Sequence, residues 1–228
     1  MQVQVQLPGM TPAEATAFVQ PLLRTLNNLG IPVAIATPST LVYGTQTGSR
    51  GGAPGNNYFA SRLFPRRAYE NATLFAGAMA AARAAVEGGY VFHGLNMAPT
   101  LKAAGYPAPA GVNPVWREIV MHADVFSSIN MGAVTAAAGA AEQRRLNGYM
   151  NALRAATSGG GAYFNEADVQ EPNWQESFFG SNYVELTQIK RERDPWHVFW
   201  APATPGSEAW AVETSSELPT QNGRLCRV

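Results

Sequence analysis

The chain has 228 residues, 46% of them hydrophobic and 14% charged, with 16 basic residues balancing 16 acidic ones. That length can bury a real core, the composition excludes a disordered tail, and zero formal charge without like-charged blocks leaves no footprint for nucleic acid or an anionic membrane. No apolar run approaches the roughly 20 residues needed to span a bilayer, and the single cysteine, Cys226, has no intrachain disulfide partner.

In chain order, Gln2 to Leu7 alternates strictly, with Val3, Val5 and Leu7 on one side, which predicts a half-buried strand. These opening residues carry no basic or apolar leader, so no signal peptide is expected. Thr11-Pro12-Ala13-Glu14 starts a helix through a capping box with proline at the first helical position. Phe18, Leu22, Leu26 and Leu29 share its stripe, and Gly30 stops it. Ile31 to Ala36 is a β-branched run, so residues 2–36 read as a strand–helix–strand unit. Residues 37–57 are glycine-rich and loop-like.

A second helix is expected over about 67–87, ending at Gly88-Gly89. Asn71-Ala72-Thr73 is a glycosylation sequon. Tyr90 to Asn96 and Trp116 to Phe126 read as strands around a Pro/Gly-rich connection at 98–114. An alanine-rich helix follows over about 133–157. The last helix is expected to start on an Asn173/Glu176 capping box, to bury Phe179, Tyr183, Leu186 and Ile189, and to end at Asp194-Pro195. The fold class is therefore α+β, an antiparallel sheet with helices mainly on one face. No interdomain linker is evident.

The chemistry-bearing residues narrow the choices. His93, His122 and His197 lack the i,i+4 or paired-cysteine spacing of a zinc site, so no metal is expected. No serine stands in a strand–Gly-x-Ser-x-Gly–helix elbow. Gly159-Gly160-Gly161 follows a helix, the reverse of a dinucleotide fingerprint, and reads as a helix stop. On strand 116–126, Ile119, Met121, Ala123 and Val125 form an apolar face, while Glu118, His122 and Asp124 share the other. That second set suits either acid–base work or a solvated polar face. His93 is opposite in phase to Tyr90, Phe92 and Asn96, so at most one of those sets lines a cleft.

The stretch 161–183 clusters amides, carboxylates and aromatics between two elements. Such a set suits a planar heteroaromatic ligand, or simply a capped helix with an aromatic core face. In order along the chain come Tyr163-Phe164-Asn165, Asn173-Trp174-Gln175, Phe178-Phe179-Gly180-Ser181-Asn182-Tyr183, Ile189-Lys190, Asp194-Pro195 and Val198-Phe199-Trp200. Upstream stand Ser61-Arg62-Leu63-Phe64-Pro65-Arg66 and Val112-Asn113-Pro114-Val115-Trp116-Arg117, and near the end Gly223-Arg224-Leu225-Cys226. This series resembles the C-terminal half of the berberine bridge enzyme-like FAD-linked oxidoreductases, of the vanillyl-alcohol oxidase superfamily, in the form common among fungi.

The resemblance implies a partial substrate lobe over 1–158 and a berberine-like C-terminal module over 159–228. It implies FAD, held in full-length members by an N-terminal lobe, often through covalent links to histidine and cysteine; that lobe has no counterpart in these residues. Members are commonly secreted. They oxidise a small molecule, an alcohol or a C–H next to a heteroatom, by hydride transfer to flavin that oxygen restores. Tyr163, Asn165 and Asn182 match the segments implied to meet the flavin edge. The family's tyrosine base after the asparagine is Glu166 here. An acidic base on a substrate-lobe strand is the other family option, which Glu118 matches, with His122 as neighbour. Two further outcomes stay open: a non-catalytic binding or interaction module, and a subunit completing a flavin site with a separate N-terminal lobe.

Overall fold

The structure, a computed structural model, describes residues 5–7, 9–33, 57–104, 110–127, 129–166, 168–214 and 223–228. It divides into two compact units, Met1–Pro54 and Gly55–Val228. In the first, helix α1 (Pro12–Asn28) begins as its sequence dictates. The Thr11 side chain accepts from the Glu14 amide while the Glu14 carboxylate accepts from the Thr11 amide at 2.8 Å, and Pro12 occupies the first turn. None of its residues is buried, so Phe18, Leu22 and Leu29 form an exposed apolar stripe. Residues 5–7 and 31–33 are not strand, and the rest of the two expected strands and the 37–56 loop lie outside the described residues.

The second unit is built on a three-stranded antiparallel sheet in the order β1-β3-β2, from β1 (Phe59–Pro65), β2 (Tyr90–Asn96) and β3 (Ile119–Ser127). One face of the sheet, with Ala60, Phe64, Tyr90, Met121, Ala123 and Val125, packs against Ala78, Ala81 and Ala85 of α3 (Ala72–Glu87) and Leu146, Met150 and Leu153 of α5 (Ala136–Ala156). Alanine on the contact side of α3 keeps that helix close to the strands, and the whole forms one dry core. The expected arrangement of helices on one side of an antiparallel sheet is therefore the one found.

Several boundaries differ for local reasons. The helix expected over 67–87 is split into α2 (Arg67–Glu70) and α3, because Asn71 takes an extended conformation and caps α3, its side chain accepting from the Leu74 amide at 3.0 Å. Residues 114–117 form a 3₁₀ turn instead of the start of β3, and α4 (Leu101–Ala104) interrupts the 98–114 connection. The last helix is two, α6 (Trp174–Phe179) and α7 (Tyr183–Arg193), broken at Gly180, whose φ is 54°. Asn173 is left-handed and makes no side-chain cap; its carbonyl takes the Glu176 and Ser177 amides instead. Of the expected stripe, Phe179 is buried, Tyr183 and Leu186 are half-buried, and Ile189 is exposed. β1 and a two-stranded ribbon of β4 (Trp210–Glu213) and β5 (Arg224–Arg227) complete the unit. No helix among the described residues is long and apolar enough to cross a membrane.

Candidate active site

The alternation of β3 sends His122 and Asp124 to the face of the sheet opposite the helices. Pairing then fixes their neighbours: Ser61 and His93 lie beside Asp124, and Leu63 and Leu95 beside His122. Tyr90 and Phe92 turn to the core, so His93 joins this face along with Val91 and Leu95. The side chains of His122 and Asp124 are only 3% and 6% exposed.

The segment after α5 supplies the rest. The Leu63 amide donates to the Gly161 carbonyl at 2.8 Å, continuing the sheet edge, and the Tyr163 amide donates to Ser61 Oγ at 2.8 Å. A Cβ at Gly160 would stand 2.3 Å from the Leu63 carbonyl, so the glycine run serves close chain packing and its space is filled by protein. A 3₁₀ turn at Phe164–Glu166 then brings Glu166 to His122, with Glu166 Oε2 3.5 Å from His122 Nε2. His122 Nε2 also lies 3.2 Å from Asp124 Oδ1, and His93 Nδ1 lies 3.3 Å from Asp124 Oδ2. The rings of Trp116 and Tyr163 flank the His122 imidazole at 5.7 and 5.3 Å between centroids.

Two features of the cluster are electrostatically costly. His122 Nε2 and Asp124 Oδ1 are buried, and although close, they are not aligned for a hydrogen bond, so neither has a hydrogen-bond partner. Burial, with the Glu166 carboxylate beside it, pushes the Asp124 carboxyl up to about 7. Burial pulls the His122 imidazole below its ordinary value, against the attraction of Glu166. Perturbed groups gathered in this way make the cluster a candidate functional site.

Of the residues singled out in the sequence, the fold brings Tyr163, Glu166 and His122 together. Asn165 is exposed beside them, its amide donating to the Tyr163 hydroxyl at 3.0 Å. Glu118 is exposed at the end of the 3₁₀ turn, before β3 begins, and joins none of the three ion pairs of the cluster. The Asn182 amide donates to the Ala110 and Val112 carbonyls at 2.9 and 2.8 Å, tying the 110–112 segment to the α6–α7 junction. Asn113 works the same way, donating to the Ser177 carbonyl at 2.9 Å. Asp124 and His93, at the centre of the arrangement, carried no role in the sequence. The alternation of β3 was their signal, but only the strand pairing and the 161–166 crossing make it a cluster.

Known proteins match this framework. The family described as berberine and berberine-like matches residues 162–204. The bifunctional decalin synthase calF of Penicillium decumbens is 30% identical over 98% of this chain and 39% of its own length. The FAD-linked oxidoreductase patO of Aspergillus clavatus is 28% identical over 97% of this chain and 38% of its own length. The VAO-type flavoprotein MtVAO615 of Myceliophthora thermophila superposes with a TM-score of 0.78 at 27% identity, covering 97% of this chain and 40% of that one. Residues 162–204 are a berberine-like segment, and the chain is similar to FAD-linked oxidoreductases over nearly all of its length. MtVAO713 of the same organism, at 21% identity and a TM-score of 0.71, adds a likeness of fold.

The chain thus spans about two-fifths of the length of the curated relatives it matches. FAD is the cofactor these relatives imply, and the described residues fit one part of it. The face of the sheet opposite the helices, exposed along β2 at Val91 and Leu95 beside the buried polar cluster, suits one side of a planar ring bearing polar edges. The diphosphate finds no such cradle among the described residues, since neighbouring atoms fill the space at Gly160 and Gly161.

Proposed function

We propose that this chain supplies the substrate-facing half of an FAD-dependent oxidoreductase that oxidises an alcohol, or a C–H bond next to a heteroatom, with oxygen restoring the cofactor. The observation that supports this reading is the cluster of His122, Asp124 and Glu166 on the face of the sheet opposite the helices, where two buried polar atoms lack hydrogen-bond partners. In it, residues 1–158 belong to the substrate lobe and 159–228 to the berberine-like module. FAD, when bound, supplies the two-electron acceptor. His122 and Glu166 receive the proton-bearing heteroatom of the substrate, and Asp124 holds the histidine between two carboxylates. Tyr163 and Asn165, hydrogen-bonded to each other, face the ring edge. The diphosphate is held by a lobe of the kind that accounts for the relatives' remaining length.

The test is flavin retention and reduction. The chain, alone and co-expressed with the N-terminal portion of one of its relatives, is purified with FAD and offered a panel of alcohols without oxygen. Bleaching of the flavin band by a panel member is expected, with its loss in His122→Asn at unchanged flavin content. A chain that retains no flavin in either form is a binding module, and the proposal fails.

A further inference from the structure

We infer that His122, Asp124 and Glu166 form a site for one divalent transition-metal cation on the face of the sheet opposite the helices. The inference rests on the reading above for the purpose of that face, and gives it a Lewis acid. Nothing in the spacing of the histidines signals this site, because its ligands come from alternate residues of one strand and from a turn that reaches the strand only through the fold.

Three observations converge on a cation. First, one ligand atom from each of the three side chains lies within 4.8 Å of the other two. The His122 Nε2 separations, 3.2 Å to Asp124 Oδ1 and 3.5 Å to Glu166 Oε2, suit a tetrahedral ion, whose ligand atoms stand roughly 3.3 Å apart at bonds of about 2.0 Å. Second, His122 Nε2 and Asp124 Oδ1 are buried, lack hydrogen-bond partners and face each other at this point. Metal coordination satisfies lone pairs that a misaligned hydrogen bond leaves bare. Third, two carboxylates share one imidazole, and among the described residues no lysine or arginine pairs with either of them. A divalent charge balances them where the imidazole alone does not.

The surroundings are those of a working site. His93 Nδ1 holds the second oxygen of Asp124 at 3.3 Å, the outer contact that fixes a ligating carboxylate. Trp116 and Tyr163 wall the imidazole. The Glu166 side chain is 43% exposed, so the cluster meets solvent on the Glu166 side, where a fourth ligand would enter. Three protein ligands and an open position are the arrangement of a catalytic ion, and an N,O,O donor set favours zinc or manganese over softer ions. An alcohol or carboxylate oxygen of the substrate is the ligand expected there.

The experiment uses the full chain, stripped with chelator and free of flavin, titrated with Zn²⁺ and separately with Mn²⁺ by calorimetry and thermal melting. One ion per chain is expected, with a rise in melting temperature. His122→Gln and Asp124→Asn lose both signals, and Glu166→Gln, a change on an exposed side chain that leaves folding intact, loses the stoichiometric binding too. His93→Gln weakens it about tenfold, as an outer-shell change does. His197→Gln leaves it unchanged. No stoichiometric binding of either ion, or binding that survives Glu166→Gln and His122→Gln, overturns the inference. Flavin bleaching that persists in chelator-treated protein also sinks the Lewis-acid role while leaving the proposed oxidoreductase standing. Metal binding in a chain that takes no flavin does the reverse.

Discussion

The two faces of the sheet bury charge in opposite ways. On the helix side, Arg62 of β1 donates to Thr157 Oγ1 at 2.9 Å and to the Thr157 carbonyl at 3.2 Å, and meets Glu171 at 3.7 Å. Glu171 in turn takes Arg154 and the Ser177 hydroxyl, the latter at 2.9 Å. Burial lowers the Arg62 guanidinium to about 10, against Glu171, so it stays charged at neutral pH. On the other side, His122 and Asp124 are as deeply buried, yet His122 Nε2 and Asp124 Oδ1 have no hydrogen-bond partner, and only the second oxygen of Asp124 meets His93, at 3.3 Å. A completed network is architecture; an incomplete one held in place at a cost is where the proposed site lies.

The sharpest way to break this contrast is to spoil the completed network. Glu171→Ala leaves Arg62 charged and buried without its carboxylate, and should cost about 3–5 kcal/mol in denaturant unfolding. Leu153→Ala, in the dry core beneath the same face, is expected to cost about 2–5 kcal/mol through the cavity it leaves. A loss of under about 1 kcal/mol in both would mean that the helix face is not the structural one.

Sequence carried the helix face of this comparison and only half of the other. Strict alternation in β3 sorted Met121, Ala123 and Val125 from His122 and Asp124, and the β2 phase put His93 against Tyr90 and Phe92. β1 escaped because both of its faces are buried, so Ser61, Arg62 and Leu63 show no alternation to detect. Asn71 and Gly180 broke helices that periodicity alone continues, the first as a cap and the second through a positive φ. The matching family segment at 161–183 was legible residue by residue. What its amides do was not, since Asn182 spends both donor contacts on backbone carbonyls that come from a distant loop. Glu118 followed from strand parity, but the 3₁₀ turn ends beneath it and leaves it outside β3. The meeting of Glu166 with Asp124 depends on the 161–166 crossing, which no local pattern encodes.

The face opposite the helices is expected to give the opposite mutational signature. Replacing both His122 and Asp124 by leucine removes two unsatisfied polar groups together, so stability should stay within about 1 kcal/mol of the parent or rise. Flavin reduction and metal binding should both vanish in that variant. A melting temperature that collapses as in Glu171→Ala would make the cluster structural and erase the distinction between the faces.

The smallest effect expected is a pH dependence in the berberine-like segment, where a carboxylate is as fully used as Glu171 but in a purely local clamp. Asp194 accepts from the Val198 amide at 2.8 Å and the Phe199 amide at 3.0 Å, and Lys190 donates to it as well. The lysine contact first, then the Phe199 and Val198 amides, hold its carboxyl below the ordinary value. A depressed carboxyl contributes stability above its unfolded value of about 3.9, and loses it as the pH falls through the folded one. Hydrogen exchange at the Val198 and Phe199 amides should therefore stay slow above about pH 4 and speed up, relative to its intrinsic rate, on further acidification. Asp194→Asn should show the fast exchange at every pH, while exchange in β3 stays unchanged. Equal pH dependence in β3 and at Phe199 would mean that the whole unit opens, and that acid acts on the buried networks of the sheet instead of on this local clamp.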